Sequence, residues 1–255
     1  MSQTATFPST SQPTFYGPFN TSRFGKVLTI DMTAPQASMS LARDCNLPRA
    51  SVVVTTAARN MMELSKAGEK ADHVIVFGSS TDPTEHPELR AITDNIRALR
   101  DKWFQRAKLV MVSRFTDLPS YDIRVALGTY NKVITRFEWG TSKTFASMTG
   151  AKSTQLATLV KHLHSFENLI VEANFNTGAG SNSDDAEVKG WIKKLSEFQP
   201  MEVHLVAGVD KLNTRLKAPK AANKPKRQKI ADQAAEATGL TFLLHEQDSW
   251  TNTKS

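Results

Sequence analysis

The stretch VIVFGSSTDPTEHPELRAITDNIRALRDKWFQRAKLVMV, residues 74–112, decides the fold. It opens on the apolar run Val74-Ile75-Val76-Phe77 and closes on Leu109-Val110-Met111-Val112. Between them Leu89, Ile92, Ile96, Leu99 and Trp103 step by three and four, which lays one apolar stripe along a helix. Pro87 stands where a first-turn proline is tolerated, just before that stripe. A short run that is apolar at every position suits a strand with both faces dry, as in a parallel sheet covered by helices.

Working outward, the same alternation repeats. Further apolar runs lie at 27–30, 133–137, 169–175, 203–207 and 240–244. Helical stripes fall on Leu156, Leu159, Val160, Leu163 and Phe166, and on Val188, Trp191, Ile192, Leu195 and Phe198. Asp184 and Asp185 load the start of the second with favourable negative charge, and Thr154 caps the first. Regular strand–helix alternation predicts an α/β fold, open or barrel. Residues 1–15, rich in Ser, Thr, Gln and Pro, read as a flexible arm. Residues 16–246 read as the domain, and 247–255 as a polar tail anchored by Trp250.

Composition narrows the function classes. With 255 residues and 40% apolar side chains the chain can bury a large core. No apolar run is long enough to cross a bilayer, and the N-terminus lacks the basic and apolar regions of a secretory signal. The one cysteine, Cys45, excludes internal disulfides and a thiolate metal site built from this chain alone. A reducing cytoplasm is the expected compartment. The net charge of +7 favours an anionic partner.

Residues 16–33, YGPFNTSRFGKVLTIDMT, resemble without a gap the segment GPxxSRRxGxSLGIDLTP of the wybutosine-biosynthesis-like iron–sulfur oxidoreductases, a radical-SAM group. In that group a CNxxCxxC loop follows. Here the text is Cys45-Asn46-Leu47-Pro48-Arg49-Ala50-Ser51-Val52, with Arg49 and Val52 at the second and third cysteine positions. The family's FxGxGEPTLHP is matched by FGSSTDPTEHP at 77–87, with Thr81-Asp82 where Gly-Glu is usual. Its SLDA becomes Arg136-Phe137-Glu138-Trp139, and its GxND becomes Gly180-Ser181-Asn182-Ser183. The resemblance implies a partial (β/α)6 barrel.

It also implies a pocket for SAM that this chain has reason to have lost. A four-iron cluster is held by three thiolates, and soft sulfur donors are what it requires. Arg49 brings a permanent positive charge and Val52 no lone pair. The expected protein is therefore a radical-SAM-like pseudoenzyme without an iron–sulfur cluster, serving as a binding or scaffolding subunit. Asp82, with Gly178 and Gly180 in the small-residue loop 177–181, marks a vestigial SAM or nucleotide pocket, with cluster-independent chemistry as one reading. Asp82 with Pro83 and Thr84 serves equally to start a helix. Glu138 ends a strand and reads as barrel-mouth or salt-bridged. His162 and His164, two apart on a helix, make no metal pair.

One further signal stands outside the resemblance. Lys211, Arg215, Lys217, Lys220, Lys224, Lys226, Arg227 and Lys229 fall in a stretch with no acidic residue. The prolines at 219 and 225 predict an extended loop over 217–226, followed by a helix over 226–238. A single-sign patch attracts RNA or an acidic protein surface. No aromatic interleaves the run, which argues against base stacking. A protein partner or larger assembly, RNA contact through Lys217, Lys220, Lys224, Lys226, Arg227 and Lys229, and no membrane insertion are the partner expectations.

Overall fold

The computed structural model describes residues 11–36, 47–115, 121–178, 181–207, 220–246 and the backbone of 251–252. The chain divides into two compact units, 1–132 with 249–255, and 133–248.

The first unit runs β1 (Phe15–Thr21), β2 (Gly25–Asp31), α1 (Ala50–Lys66), β3 (His73–Phe77), a 3-10 turn (Pro83–Glu85), α2 (Leu89–Trp103), β4 (Lys108–Ser113) and α3 (Tyr121–Leu127). β2, β3 and β4 are parallel, with Ile30 opposite Val76 and Val76 opposite Met111. Ile30, Val74, Val76, Leu109 and Met111 are wholly buried, and each such side chain contributes about 1.5–3 kcal/mol by leaving water. Val53, Ala57 and Met61, one turn apart, are the buried face of α1, and Leu89, Ile92 and Ile96 that of α2.

The second unit runs β5 (Lys132–Arg136), α4 (Ser142–Thr149), α5 (Gln155–Leu163), β6 (Leu169–Ala173), β7 (Asn176–Thr177), α6 (Asp185–Phe198), β8 (Glu202–Val206), β9 (Lys220–Ala221), α7 (Lys224–Thr238) and β10 (Phe242–His245). Strands β5, β6, β8 and β10 are parallel neighbours in that order. β7 and β9 form a separate antiparallel pair. Helix limits follow local chemistry: the Asn223 side chain accepts from Lys226 N to start α7, and Gly239 at φ 70° ends it. Lastly, β11 (Thr251–Asn252) returns to the first unit and pairs antiparallel with β1.

The seven apolar runs all hold strands, in a mostly parallel α/β fold. Several boundaries differ from the reading of the sequence. The run 169–175 ends as a strand at Ala173, and 240–244 becomes Phe242–His245. The last helix starts at Lys224, because Asn223 caps it before Pro225, a residue welcome in a first turn. β1 and β11 are antiparallel additions without an apolar run of their own. Within the segment read as an arm, Gln12 N donates to Pro35 O at 2.8 Å, Asp31 N donates to Thr14 O at 2.9 Å, and Thr14 and Phe15 are buried. Residues 1–10, 247–250 and 253–255 lie outside the described residues.

The strands of the second unit are not alike on their two faces. The Phe242 ring packs 6.1 Å from Trp191 of α6, so the face shared by Phe242, Val203, Val171 and Thr135 is the one under the helices. On the opposite face Arg136, Glu172 and His204 stand in register across three strands. The His245 ring lies 4.8 Å from that of His204, whose Nε2 meets Glu202 at 3.0 Å. The register, not the individual runs, creates this charged row.

Candidate functional site

Active sites of parallel α/β folds gather beyond the carboxyl ends of the strands. In the first unit β2 ends at Asp31 and β3 at Phe77. The loop after β3 folds back on the turn after β2. Asp31 Oδ1 accepts from Thr33 N at 3.0 Å and Ser79 N at 3.1 Å. Thr33 Oγ1 accepts from Ser80 N at 3.2 Å and donates to Thr81 O at 3.2 Å, while Ser80 Oγ donates to Thr33 O. Gly78 permits this closeness, since a Cβ there would stand 2.2 Å from Thr81 O.

Asp82 follows in the same loop and is buried. Its carboxylate accepts from Thr84 N at 2.9 Å, Thr84 Oγ1 at 2.5 Å, Ser113 Oγ at 2.8 Å and Arg114 N at 2.5 Å. Four donors match the acceptor capacity of a carboxylate. The group therefore caps the 3-10 turn and ties it to the end of β4. Beside it, His86 Nδ1 accepts from Glu88 N at 3.0 Å, which leaves Nε2 to donate to Pro48 O at 2.9 Å. Glu88 in turn accepts from Ala50 N at 2.9 Å. These bonds fix the start of α1.

That start carries Arg49 and Val52, which the sequence resemblance aligns with two cluster cysteines. Arg49 is the residue before α1, and Val52 sits inside its first turn with 43% of its surface exposed. A guanidinium and an isopropyl group do not fit a four-iron cluster, which needs thiolates. Cys45 lies outside the described residues.

In the second unit the loops after β5 and β6 meet. Glu138 is 3% exposed, and its Oε2 accepts from Asn174 N at 2.8 Å, with Arg136 Nε 3.6 Å away. Asn182, 1% exposed, is the hub: its Nδ2 donates to Glu138 O at 3.0 Å and Asn174 O at 2.9 Å, and its Oδ1 accepts from Asn176 N at 2.7 Å. Ser181 and Ser183 both donate to Asn176 O. Yet Asn174 Oδ1, Asn176 Oδ1 and Trp139 Nε1 are buried with no hydrogen-bond partner among the described residues. Behind this cluster, Glu187 accepts from Gly140 N, Thr141 N, Thr141 Oγ1 and Thr144 Oγ1 at 2.6–3.1 Å. Gly140 and Gly190 let α6 approach that closely. Lys194 donates to Gly140 O, and burial draws its pKa down against the pull of Glu197 and Glu187.

Asp82 belongs to the first unit and Gly178, at φ 97°, to the second. Gly180 and Lys217 lie outside the described residues. Lys220, Lys224 and Lys229 are exposed and Lys226 is half-buried. Arg227 is 2% exposed and its guanidinium pairs with Glu246 at 2.9 Å, so it faces the core and not the lysine surface. His162 is half-buried and His164 exposed at the end of α5. Among the described residues no three His, Cys, Asp or Glu side chains are placed to hold a metal ion, and no helix is long and apolar enough to cross a membrane. Arg136 and Asn182 enter the sequence reading only through the resemblance, and Glu172, His204, His245, Asn174 and Asn176 do not enter it. Their signal was one polar residue near the end of each strand, legible only once the register is known.

No family model matches the sequence, and no curated protein matches it. Among solved structures the chain is similar to a domain of pyruvate-formate lyase-activating enzyme from Bacteroides vulgatus, with a TM-score of 0.51 and 14% identity over 68% of this chain and 99% of that one. It is also similar to Streptococcus suis SuiB, with a TM-score of 0.52 and 11% identity over 74% of this chain and 42% of SuiB. Both are radical-SAM family members, and at such identities the likeness speaks to the backbone alone. The chain has the mostly parallel α/β partial-barrel fold of radical-SAM proteins.

Proposed function

We propose that this chain is a non-catalytic radical-SAM-like protein that works as a binding or scaffolding subunit. The observation that carries the reading is the donor set: one cysteine in the chain, with Arg49 and Val52 at the other two ligand positions of the resemblance. Thiolates are the ligands such a cluster needs, and a guanidinium repels a cation. The saturated Asp82 carboxylate supports the same reading, since all of its acceptor capacity is spent on Thr84, Ser113 and Arg114.

Anaerobic reconstitution with iron and sulfide, followed by iron counting, tests it. The expected preparation is colourless and binds no stoichiometric iron. Four irons per chain with cleavage of SAM would refute the reading.

RNA contact is the second reading, favoured by the exposure of Lys220, Lys224 and Lys229. Affinity for an RNA oligonucleotide should then fall steeply with salt, and the slope should shrink when these lysines are neutralised. An unchanged slope removes RNA from this surface. A retained nucleotide pocket draws support only from the unspent polar atoms beside Glu138. Calorimetry with SAM showing no heat would dismiss it.

A further inference from the structure

β10 is the outer strand of the second unit: it pairs with β8, and no described strand pairs with its other side. Sheet edges that remain solitary carry lysine or proline, a bulge, or a covering element, because bare backbone templates a further strand. β1 in the first unit has such a cover in β11. The β10 edge offers Phe242, Leu243 and Leu244, with Leu243 39% exposed.

The helix beside this edge has a matching property. α7 packs on β10, and the pair between Arg227 and Glu246 sets its first turns beside the strand's C-terminal end. Its exposed charges are sorted along its length. Lys224 and Lys229, with half-buried Lys226, make the first half basic, whereas exposed Asp232 and Glu236 make the second half acidic. Lys226, Lys229 and Gln233 line a cleft shared with Asp184 and Asp185 at the start of α6. By the helical period, Lys224, Gln228, Asp232 and Ala235 lie on the other flank. A helix basic at one end and acidic at the other is complementary to its own reversed copy. A polyanion would be repelled by the acidic half.

We propose that β10 pairs antiparallel with β10 of a second copy of this chain, around a two-fold axis perpendicular to the sheet near Leu243. Such an axis keeps both α7 helices on one side of the joined sheet and runs them antiparallel. Lys224 of each helix then faces Asp232 of the other, while Leu243 meets Leu243 and Phe242 meets Leu244 of the copy. The closed two-fold contact buries the apolar edge of both chains at once and leaves no β10 edge for a third. The inference holds for a catalytic and a non-catalytic chain alike, so it stands apart from the reading above.

Sedimentation equilibrium on the full chain over a concentration series tests it. The expected result is a dimer that Leu243→Lys weakens by at least about tenfold, as a charge on an edge strand should. Lys224→Glu should weaken it too. Adding Asp232→Lys to that variant should restore it, with circular dichroism confirming a folded chain throughout. A monomer at every concentration overturns the proposal, as does a dimer indifferent to both the strand and the charge variants. A monomer that instead retains RNA through Lys224, unrestored by the Lys224–Asp232 swap, assigns that lysine to a polyanion and overturns it too.

Discussion

Asp82 in the first unit and Asn174 in the second both sit in a loop that follows a parallel strand, and both are buried. Asp82 has four donors on its carboxylate, whereas the Asn174 side-chain oxygen meets none among the described residues. In the first unit the amides of Ser79, Ser80 and Thr84 are spent on Asp31, Thr33 and Asp82. In the second the same kind of loop is held by Asn182 but keeps acceptors on Asn174 and Asn176 and a donor on Trp139 in reserve. A buried polar atom without a partner costs about 1–3 kcal/mol, so a fold that carries several together forgoes stability there. The lesson is that strand-end position alone does not mark a functional residue. What matters is whether its polar atoms are already used.

The largest effect should come from breaking the first network. Asp82→Ala strands the Ser113 hydroxyl and the Thr84 amide in the interior and releases the part-buried Arg114 amide, and we expect a loss of about 3 kcal/mol or more. Urea unfolding monitored by fluorescence measures it. A loss below about 1 kcal/mol would show that water replaces the carboxylate and that the network is no tie.

A paired substitution sharpens the contrast inside the second unit. Asn182→Ala removes three hydrogen bonds and should cost about 2–3 kcal/mol, whereas Asn174→Ala removes an unmatched oxygen and should cost less than about 1 kcal/mol. Equal losses in thermal unfolding would mean that Asn174 is as fully engaged as Asn182, and the difference between the two loops would vanish.

The smallest effect is a pH dependence confined to the first unit. Burial lowers the pKa of His73, opposed by its bond to Phe24 O and joined by the charge of Lys132. Its folded pKa lies below its unfolded value, so the unfolded chain binds the proton first as pH falls. The contribution is complete above the ordinary value of 6.5 and is lost on acidification through that value towards the folded pKa. His73→Gln should flatten the stability profile between pH 7 and 5. An unchanged slope assigns the acid sensitivity to other groups.

How far the sequence carried the reading differs between backbone and site. The stripe from Leu89 to Trp103 and the runs on either side foretold α2, β3 and β4 nearly residue for residue, because burial of apolar side chains obeys the local period. Asp82 could be seen as a cap, with Pro83 and Thr84 beside it, but its bonds to Ser113 and Arg114 span more than thirty residues and leave no local trace. Arg227 stood among lysines in the sequence, and only the pairing of α7 with the end of β10 turned it inward to Glu246.

The sequence by itself determined the alternating α/β order, the absence of a three-thiolate donor set and the sorting of charge along α7. Those depend on residue identity and on periods of two to four residues. The tertiary structure alone decided that Arg136, Glu172 and His204 form one row, that Asn182 staples two loops, and that β10 is left at an edge. Each of those depends on strand register and neighbour order. These are set by which distant surfaces exclude water together, and no short window of sequence contains both partners.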